Sequence, residues 1–145
     1  MEKRFNTTRV TMNRLDGNFH FEARGPSNIP VHLDAAQSIG GTNAGARPME
    51  LLLMGLGGCS AIDIILILKK SRQQIDDLQI SIEGQREADK EPAPFEKINI
   101  HFAFRGNIAP KRAEDAIKLS IEKYCSAAAM LSKSAQITWT FDIQP

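Results

Sequence analysis

The chain has 145 residues, a formal net charge of +1, 42% hydrophobic and 24% charged residues. This length fits one compact domain, which we predict to span residues 1–145, and such a domain folds without disulfide bonds. The balanced charge, the lack of a basic block and the lack of an apolar leader predict a cytoplasmic protein without a nucleic-acid or membrane partner.

The first third of the chain has the alternation typical of short β-strands. A turn signal at residues 15–18 separates two alternating runs, which predicts a hairpin. A third strand is predicted at residues 31–33, followed by a flexible loop over the glycine-rich residues 38–46. The alternating apolar side chains are Val10, Met12, Phe19, Phe21, Val31 and Leu33.

A long apolar helix is predicted next. Pro48 stands in the favoured first-turn position, and the segment from Met49 to about Lys70 is apolar nearly all round. A helix that is apolar all round must be covered on every side. Because one small domain has difficulty covering it alone, we predict a dimer with this helix in a shared centre.

The remainder of the chain predicts three strands and a second helix. Runs at 78–82, 98–104 and 137–143 alternate with period two, which is typical of antiparallel sheets with one solvated face. Residues 87–94 form an exposed connection, and a second helix is predicted from about Pro110 to Leu131. The order of elements predicts an α+β fold and not a doubly wound α/β fold.

The chain contains only two cysteines, Cys59 and Cys125, which lie 66 residues apart in two helix-like segments. In a reducing compartment, a disulfide is more often catalytic or redox-sensing than structural. Buried cysteine is also common as an inert, small apolar residue. The sequence spacing alone leaves a redox pair and an inert pair both open.

The glycines before Cys59 offer a route to a reactive thiol. A break at Gly57-Gly58 would place Cys59 in the first turn of a new helix, where backbone N–H groups and the helix dipole stabilise a thiolate. Asp63, four residues later, could share its face, and a nearby carboxylate opposes thiolate formation. The simpler role for Asp63 is a hydrogen bond to the backbone.

Charged residues and histidines complete the list of candidates. Arg47 and Glu50 lie at the helix start, where a carboxylate is favourable in the first turn. In an unbroken helix, Glu50 lies on the face opposite Cys59, so the two could meet only through a break at the glycines or across a dimer interface. The three histidines lie in separate strands without ligand spacing, so we expect neither a metal site nor a cofactor.

Three segments resemble the OsmC/Ohr family of osmotically inducible and organic-hydroperoxide-resistance proteins, and are most similar to its uncharacterised OsmC-like branch. They are Arg-Pro-Met-Glu-Leu-Leu-Leu at 47–53, Leu-Gly-Gly-Cys-Ser-Ala-Ile-Asp at 56–63 and Lys-Tyr-Cys-Ser at 123–126. The resemblance implies an OsmC-like α+β fold, in which antiparallel sheets wrap around long central helices of an intertwined homodimer.

The resemblance also implies a thiol-dependent peroxidase that reduces organic hydroperoxides. In that scheme Cys59 attacks the peroxide, Cys125 condenses with the resulting sulfenic acid, and an external dithiol restores both thiols. The family's peroxidases place a glutamate where this chain has Met49, whereas Glu50 comes one residue later. They also use an N-terminal arginine, for which Arg14 and Arg47 are the candidates here.

Two other functions fit the same residues. The first is a non-enzymatic small-molecule binder or thiol redox sensor on the same scaffold. It is favoured because Met49 stands where the family's peroxidases have a glutamate, and the carboxylate comes one residue later, at Glu50. The second is a structural dimer with two inert thiols.

Overall fold

The protein is described from a computed structural model that covers residues 2–145. The chain divides into two compact units, of which the first ends at Leu52 and the second runs from Leu53 to Pro145. The predicted single domain over residues 1–145 therefore stays a prediction. One helix, α1 (Pro48–Lys70), begins in the first unit and continues in the second.

The first unit contains an antiparallel sheet of three short strands. They are β1 (Thr11–Arg14), β2 (Phe21–Arg24) and β3 (Val31–Leu33), paired in the order β1-β2-β3. The hairpin and the third strand predicted from the alternation are confirmed.

A buried carboxylate organises the loop that follows this sheet. Asp34, whose side chain is 2% exposed, accepts hydrogen bonds from the backbone N–H groups of Ala35, Thr42 and Ala44 at 2.7–3.0 Å. The Thr42 hydroxyl donates a fourth hydrogen bond at 3.0 Å. A Cβ at Gly41 would overlap the carbonyl of Ala35, so this glycine permits close packing. The glycines predicted a flexible loop, but the segment is held by a dense set of hydrogen bonds.

The second unit contains a mixed three-stranded sheet in the order β4-β5-β6. Its strands are β4 (Gln74–Arg86), β5 (Phe95–Asn107) and β6 (Gln136–Gln144). β4 and β5 are antiparallel, whereas β5 and β6 are parallel. The prediction of antiparallel pairing is therefore wrong for β6. Side-chain alternation reports which face of a strand is buried, and it carries no information on the direction of the neighbouring strand.

A helical crossover makes the parallel pairing possible. It consists of α2 (Pro110–Leu119), a π-helical turn (Ser120–Tyr124) and α3 (Ser126–Leu131). The single helix predicted from Pro110 to Leu131 is thus interrupted. Cys125 separates the π-helical turn from α3 and has an extended backbone conformation with φ −75° and ψ 106°.

The core of the second unit lies where β5, α1 and α2 bury their apolar side chains. Alternate residues of the central strand β5 are buried because this strand has a neighbour on each side and a helical layer over one face. The fully or almost fully buried apolar side chains of these three elements are Ile98, Ile100, Phe102, Phe104, Leu56, Ile64, Leu68, Ala113, Ala116 and Ile117.

Helix α1 is continuous through Gly57-Gly58, so the predicted long helix is confirmed and the break considered at these glycines does not occur. A Cβ at Gly57 would come within 2.8 Å of the Ile82 Cδ1 atom on β4. The glycine therefore permits close approach of helix to sheet, and the tertiary contact outweighs its cost of about 1 kcal/mol in a helix interior.

Part of the apolar surface of α1 remains exposed. By length and composition alone the helix could cross a membrane. In its most apolar stretch of 18 residues, 28% of the residues are buried. The exposed apolar side chains on it are Leu52, Met54, Ile62 and Leu66. This exposure agrees with the sequence argument that one chain does not cover the helix on every side.

The Asp34 carboxylate gives the first testable prediction. Hydrogen bonds from the Ala44, Thr42 and Ala35 backbone lower its pKa from 3.8 to about 2, against the opposing effect of burial. A lowered folded-state pKa stabilises the fold above the unfolded value of about 4, and this contribution is lost as the pH falls towards about 2. Asp34→Asn should lower the Tm at pH 7. The difference in Tm between the variant and the wild type should shrink as the pH falls below 4.

The matched control is Asp89→Asn in the exposed connection after β4. Its Tm should follow the wild type at every pH. A difference between wild type and Asp34→Asn that stays constant down to pH 3 would contradict the role of the Asp34 charge.

Candidate active site

Three ionisable side chains of the second unit converge. The sulfur atoms of Cys59 and Cys125 and a carboxylate oxygen of Asp63 all lie within 4.8 Å of one another. Cys59 and Asp63 share one face of α1 because they are four residues apart. The sequence predicted this shared face, and the structure adds Cys125 to it.

The π-helical turn positions the second sulfur. The Cys125 N–H donates to the carbonyl of Ser120 at 2.7 Å, a bond that spans five residues. π-helical turns are rare in proteins, and those that do occur are frequently found at functional sites. Cys125 then caps α3, and its sulfur accepts a hydrogen bond from the N–H of Ala128 at 3.3 Å. The side chain is buried, with 2% of its surface exposed.

A serine hydroxyl joins this turn to α1. Ser120 Oγ lies 3.2 Å from Asp63 Oδ2 and 3.3 Å from the carbonyl oxygen of Ser60, and it is fully buried. Because a hydroxyl carries one proton, it donates to one of these acceptors at a time. Either bond holds the turn against α1 next to the two sulfurs.

Ser120 was missed by sequence reasoning although a signal was present. It lies seven residues after Ala113 and four before Tyr124, so the predicted second helix places it on the same face as these apolar residues. A polar side chain on a buried stripe needs a hydrogen-bond partner, and that requirement points to a polar group on the facing element.

The two thiols occupy different environments. Burial is the main reason that the pKa of Cys125 rises to about 11; the neighbouring Cys59 raises it further, and the Ala128 N–H acts in the opposite direction. Cys125 is therefore a protonated thiol at neutral pH. Cys59 is only half-buried, so reagents in solvent reach it more easily.

The three charged candidates belong to the first unit. The Glu50 carboxylate accepts a hydrogen bond from the Arg47 N–H at 2.6 Å, which caps the start of α1. The Arg47 guanidinium donates to Gly45 O and Asn43 Oδ1, both at 2.9 Å. Arg14 is exposed at the end of β1. Catalytic roles for Arg14, Arg47 and Glu50 stay predictions, and the break in α1 that would let Glu50 approach Cys59 is absent.

Two clefts of the second unit reach the cysteine–carboxylate cluster. One has a volume of about 690 Å³ and includes Asp63, and the other has about 490 Å³ and includes Cys125. The lining of the larger cleft is largely apolar, with two cations. Its other principal residues are Leu66, Ile67, Lys70, Arg112, Leu119 and Tyr124.

Comparison with known proteins places the chain in a family. The model of the OsmC-like protein family matches residues 41–140, and the chain belongs to this family. Protein YhfA of Escherichia coli strain K12 is 41% identical to it over 97 residues, which cover 66% of this chain and 72% of YhfA.

Solved structures share the fold. A hypothetical protein from Aquifex aeolicus VF5 matches with a TM-score of 0.81 and 32% identity, over 97% of this chain and 100% of that one. An organic hydroperoxide resistance protein OsmC from Legionella pneumophila matches with a TM-score of 0.71 and 16% identity, over 97% and 99%. The predicted family and its α+β fold are confirmed. We therefore interpret α1 as a core helix of this fold, while the cytoplasmic location stays a prediction.

The different environments of the thiols predict selective modification. One equivalent of iodoacetamide at pH 7 should alkylate Cys59 at least tenfold faster than Cys125, because alkylation requires an accessible thiolate. Peptide mass spectrometry of the reduced protein measures the ratio. The Cys125→Ser variant should react at the wild-type rate, and preferential labelling of Cys125 would contradict the different exposure of the two thiols.

Proposed function

We propose that the protein is a thiol-dependent peroxidase that reduces organic hydroperoxides through Cys59 and Cys125. The observation that carries the proposal is the approach of these two thiols, the only two in the chain, within a partly enclosed cluster. The name of the Legionella pneumophila relative supports the choice of organic hydroperoxides as substrate.

The proposed first step is attack by the Cys59 thiolate on the terminal oxygen of the hydroperoxide. The O–O bond breaks, sulfur is oxidised to a sulfenic acid, and the other oxygen leaves as an alkoxide that takes a proton to become an alcohol. Cys59 takes this role because it is the more accessible thiol of the pair.

In the proposed second step, the Cys125 thiol attacks the Cys59 sulfenic acid. A disulfide forms, and the sulfenic hydroxyl leaves as water with the Cys125 proton. Because the pKa of Cys125 is about 11, this thiol enters the step protonated and needs a base. Asp63 is the carboxylate beside both sulfurs, and we assign it the transfer of that proton. An external dithiol then reduces the disulfide and is itself oxidised.

Disulfide formation requires the sulfurs to come within about 2.05 Å of each other. Cys125 stands where a π-helical turn meets a helix of six residues, so a local change in this junction is sufficient to move its sulfur. The buried Ser120 keeps the junction next to α1 during this movement.

The remaining assignments are proposals about charge and assembly. Arg14, Arg47 and Glu50 are the proposed charged partners of the thiolate, as the family resemblance implies. Because α1 is unbroken, we propose that Glu50 reaches Cys59 across a dimer interface. A homodimer is proposed because α1 exposes a row of large apolar side chains in the single chain. Covering such a row is worth roughly 25 cal/mol per Å² of apolar surface.

Peroxide consumption tests the proposal directly. Wild-type protein with a dithiol should consume cumene hydroperoxide over many turnovers, whereas Cys59→Ser should be at least 100-fold slower because it lacks the nucleophile. Cys125→Ser should still form a sulfenic acid that dimedone traps, but it should form no disulfide within the chain. Equal consumption by wild type and Cys59→Ser would refute the proposed function.

A non-enzymatic small-molecule binder or thiol redox sensor is the second candidate. The large cleft beside Asp63 and the use of Glu50 as a helix cap favour it. A sensor would form its disulfide with one equivalent of peroxide yet show no sustained turnover with the dithiol. The same assay therefore separates the two functions.

The dimer has its own test. Ile62→Lys places a charge on the exposed apolar row of α1, where burial of an unpaired charge costs several kcal/mol. Light scattering after size exclusion should show a dimer for wild type and a monomer, or a dimer with at least 100-fold weaker association, for Ile62→Lys. The control Met130→Lys replaces an exposed apolar residue of α3 and should stay dimeric; a monomeric wild type would contradict the proposal.

A further inference from the structure

We propose that the reduced Cys59–Asp63–Cys125 cluster binds one zinc ion per chain. The proposal does not depend on peroxidase activity, because it concerns the ligand atoms of the reduced site. It also replaces the expectation of no metal site, which considered only the spacing of the histidines.

The distances suit a four-coordinate ion. Zinc binds sulfur at about 2.3 Å and carboxylate oxygen at about 2.0–2.2 Å, so ligand atoms in a tetrahedral site are roughly 3.5–3.8 Å apart. The three ligand atoms here lie within 4.8 Å of one another. To reach the distances of a tetrahedral site, the ligand atoms must therefore move by about 1 Å. Rotation of the Cys59 and Asp63 side chains supplies this movement.

The surrounding groups orient the ligands. Ser120 Oγ lies 3.2 Å from Asp63 Oδ2, which leaves the other carboxylate oxygen to bind the ion. The Ala128 N–H donates to Cys125 Sγ at 3.3 Å and stabilises negative charge on that sulfur. Such outer contacts are typical of metal sites and tune their affinity.

The donor set selects the kind of metal. Two thiolates and one carboxylate favour zinc or cadmium over magnesium and calcium, which prefer sites made only of oxygen. Cys59 and Asp63 are half-buried, so a water molecule can reach the fourth position. A three-ligand site with one open position differs from a closed structural zinc site.

Zinc binding and disulfide formation exclude each other. A disulfide between Cys59 and Cys125 removes both thiolate ligands, and a bound zinc ion keeps both sulfurs from oxidation. Zinc at this site would therefore protect the thiols in proportion to its occupancy.

The test uses the reduced full-length chain after treatment with a chelator. Titration with zinc against a chromogenic zinc indicator should give one site per chain, and cobalt substitution should give a thiolate-to-cobalt charge-transfer band. Cys59→Ser and Cys125→Ser should each weaken zinc binding at least 100-fold, and Asp63→Asn about tenfold. The disulfide form should not bind.

The control addresses a pair of possible metal ligands outside this cluster. His20 Nε2 and His32 Nδ1 lie 2.8 Å apart in the first unit and could hold zinc at the surface. His32→Gln should leave the affinity and the cobalt spectrum unchanged. Zinc binding that survives in Cys59→Ser, or that His32→Gln abolishes, would overturn the proposal. Should a variant fail to fold, the presence or absence of the cobalt band in wild type decides the question.

Discussion

The buried hydroxyl of Ser120 is the interaction on which the arrangement of the site depends. It lies between Asp63 and the backbone of Ser60 on one side and the π-helical turn on the other. If the turn moved along α1, this buried hydroxyl would lose its partners at a cost of roughly 1–3 kcal/mol. The turn is therefore held at one position along α1, in one register. The nearness of Cys125 to Cys59 follows from this register, because Cys125 is the first residue after the turn.

That register brings two unlike thiols to one carboxylate. In the proposed mechanism, the more accessible Cys59 is the nucleophile and the buried, protonated Cys125 is the resolving thiol. The same atoms, when both sulfurs are deprotonated, have the charge of a zinc site and need shifts of about 1 Å to reach its spacing. The two proposals therefore use the same atoms, and they exclude each other because a disulfide removes both thiolate ligands.

The sequence predicted those parts that depend on local periodicity. The spacing of Cys59 and Asp63 on one helix face, the strands and the extent of α1 follow from repeats of 3.6 and 2 residues. Contacts between distant segments decided the rest. Gly57 appeared to be a helix breaker because its neighbour Ile82 on β4 is invisible to a local pattern. The direction of β6 depended on the crossover, and the ordering of the loop after β3 depended on the buried Asp34.

The π-helical turn between α2 and α3 has a consequence for how the site can change in evolution. A turn of this kind holds one residue more than the α-helical turn it replaces. Deleting one residue from Ser120–Tyr124 would replace the π-helical turn by an α-helical one and rotate Cys125 by about 100° relative to α2. Cys125 would then lie on another side of the helix axis, away from Cys59. A single-codon deletion in this turn is therefore sufficient to abolish the pairing of the two sulfurs in a descendant of this chain.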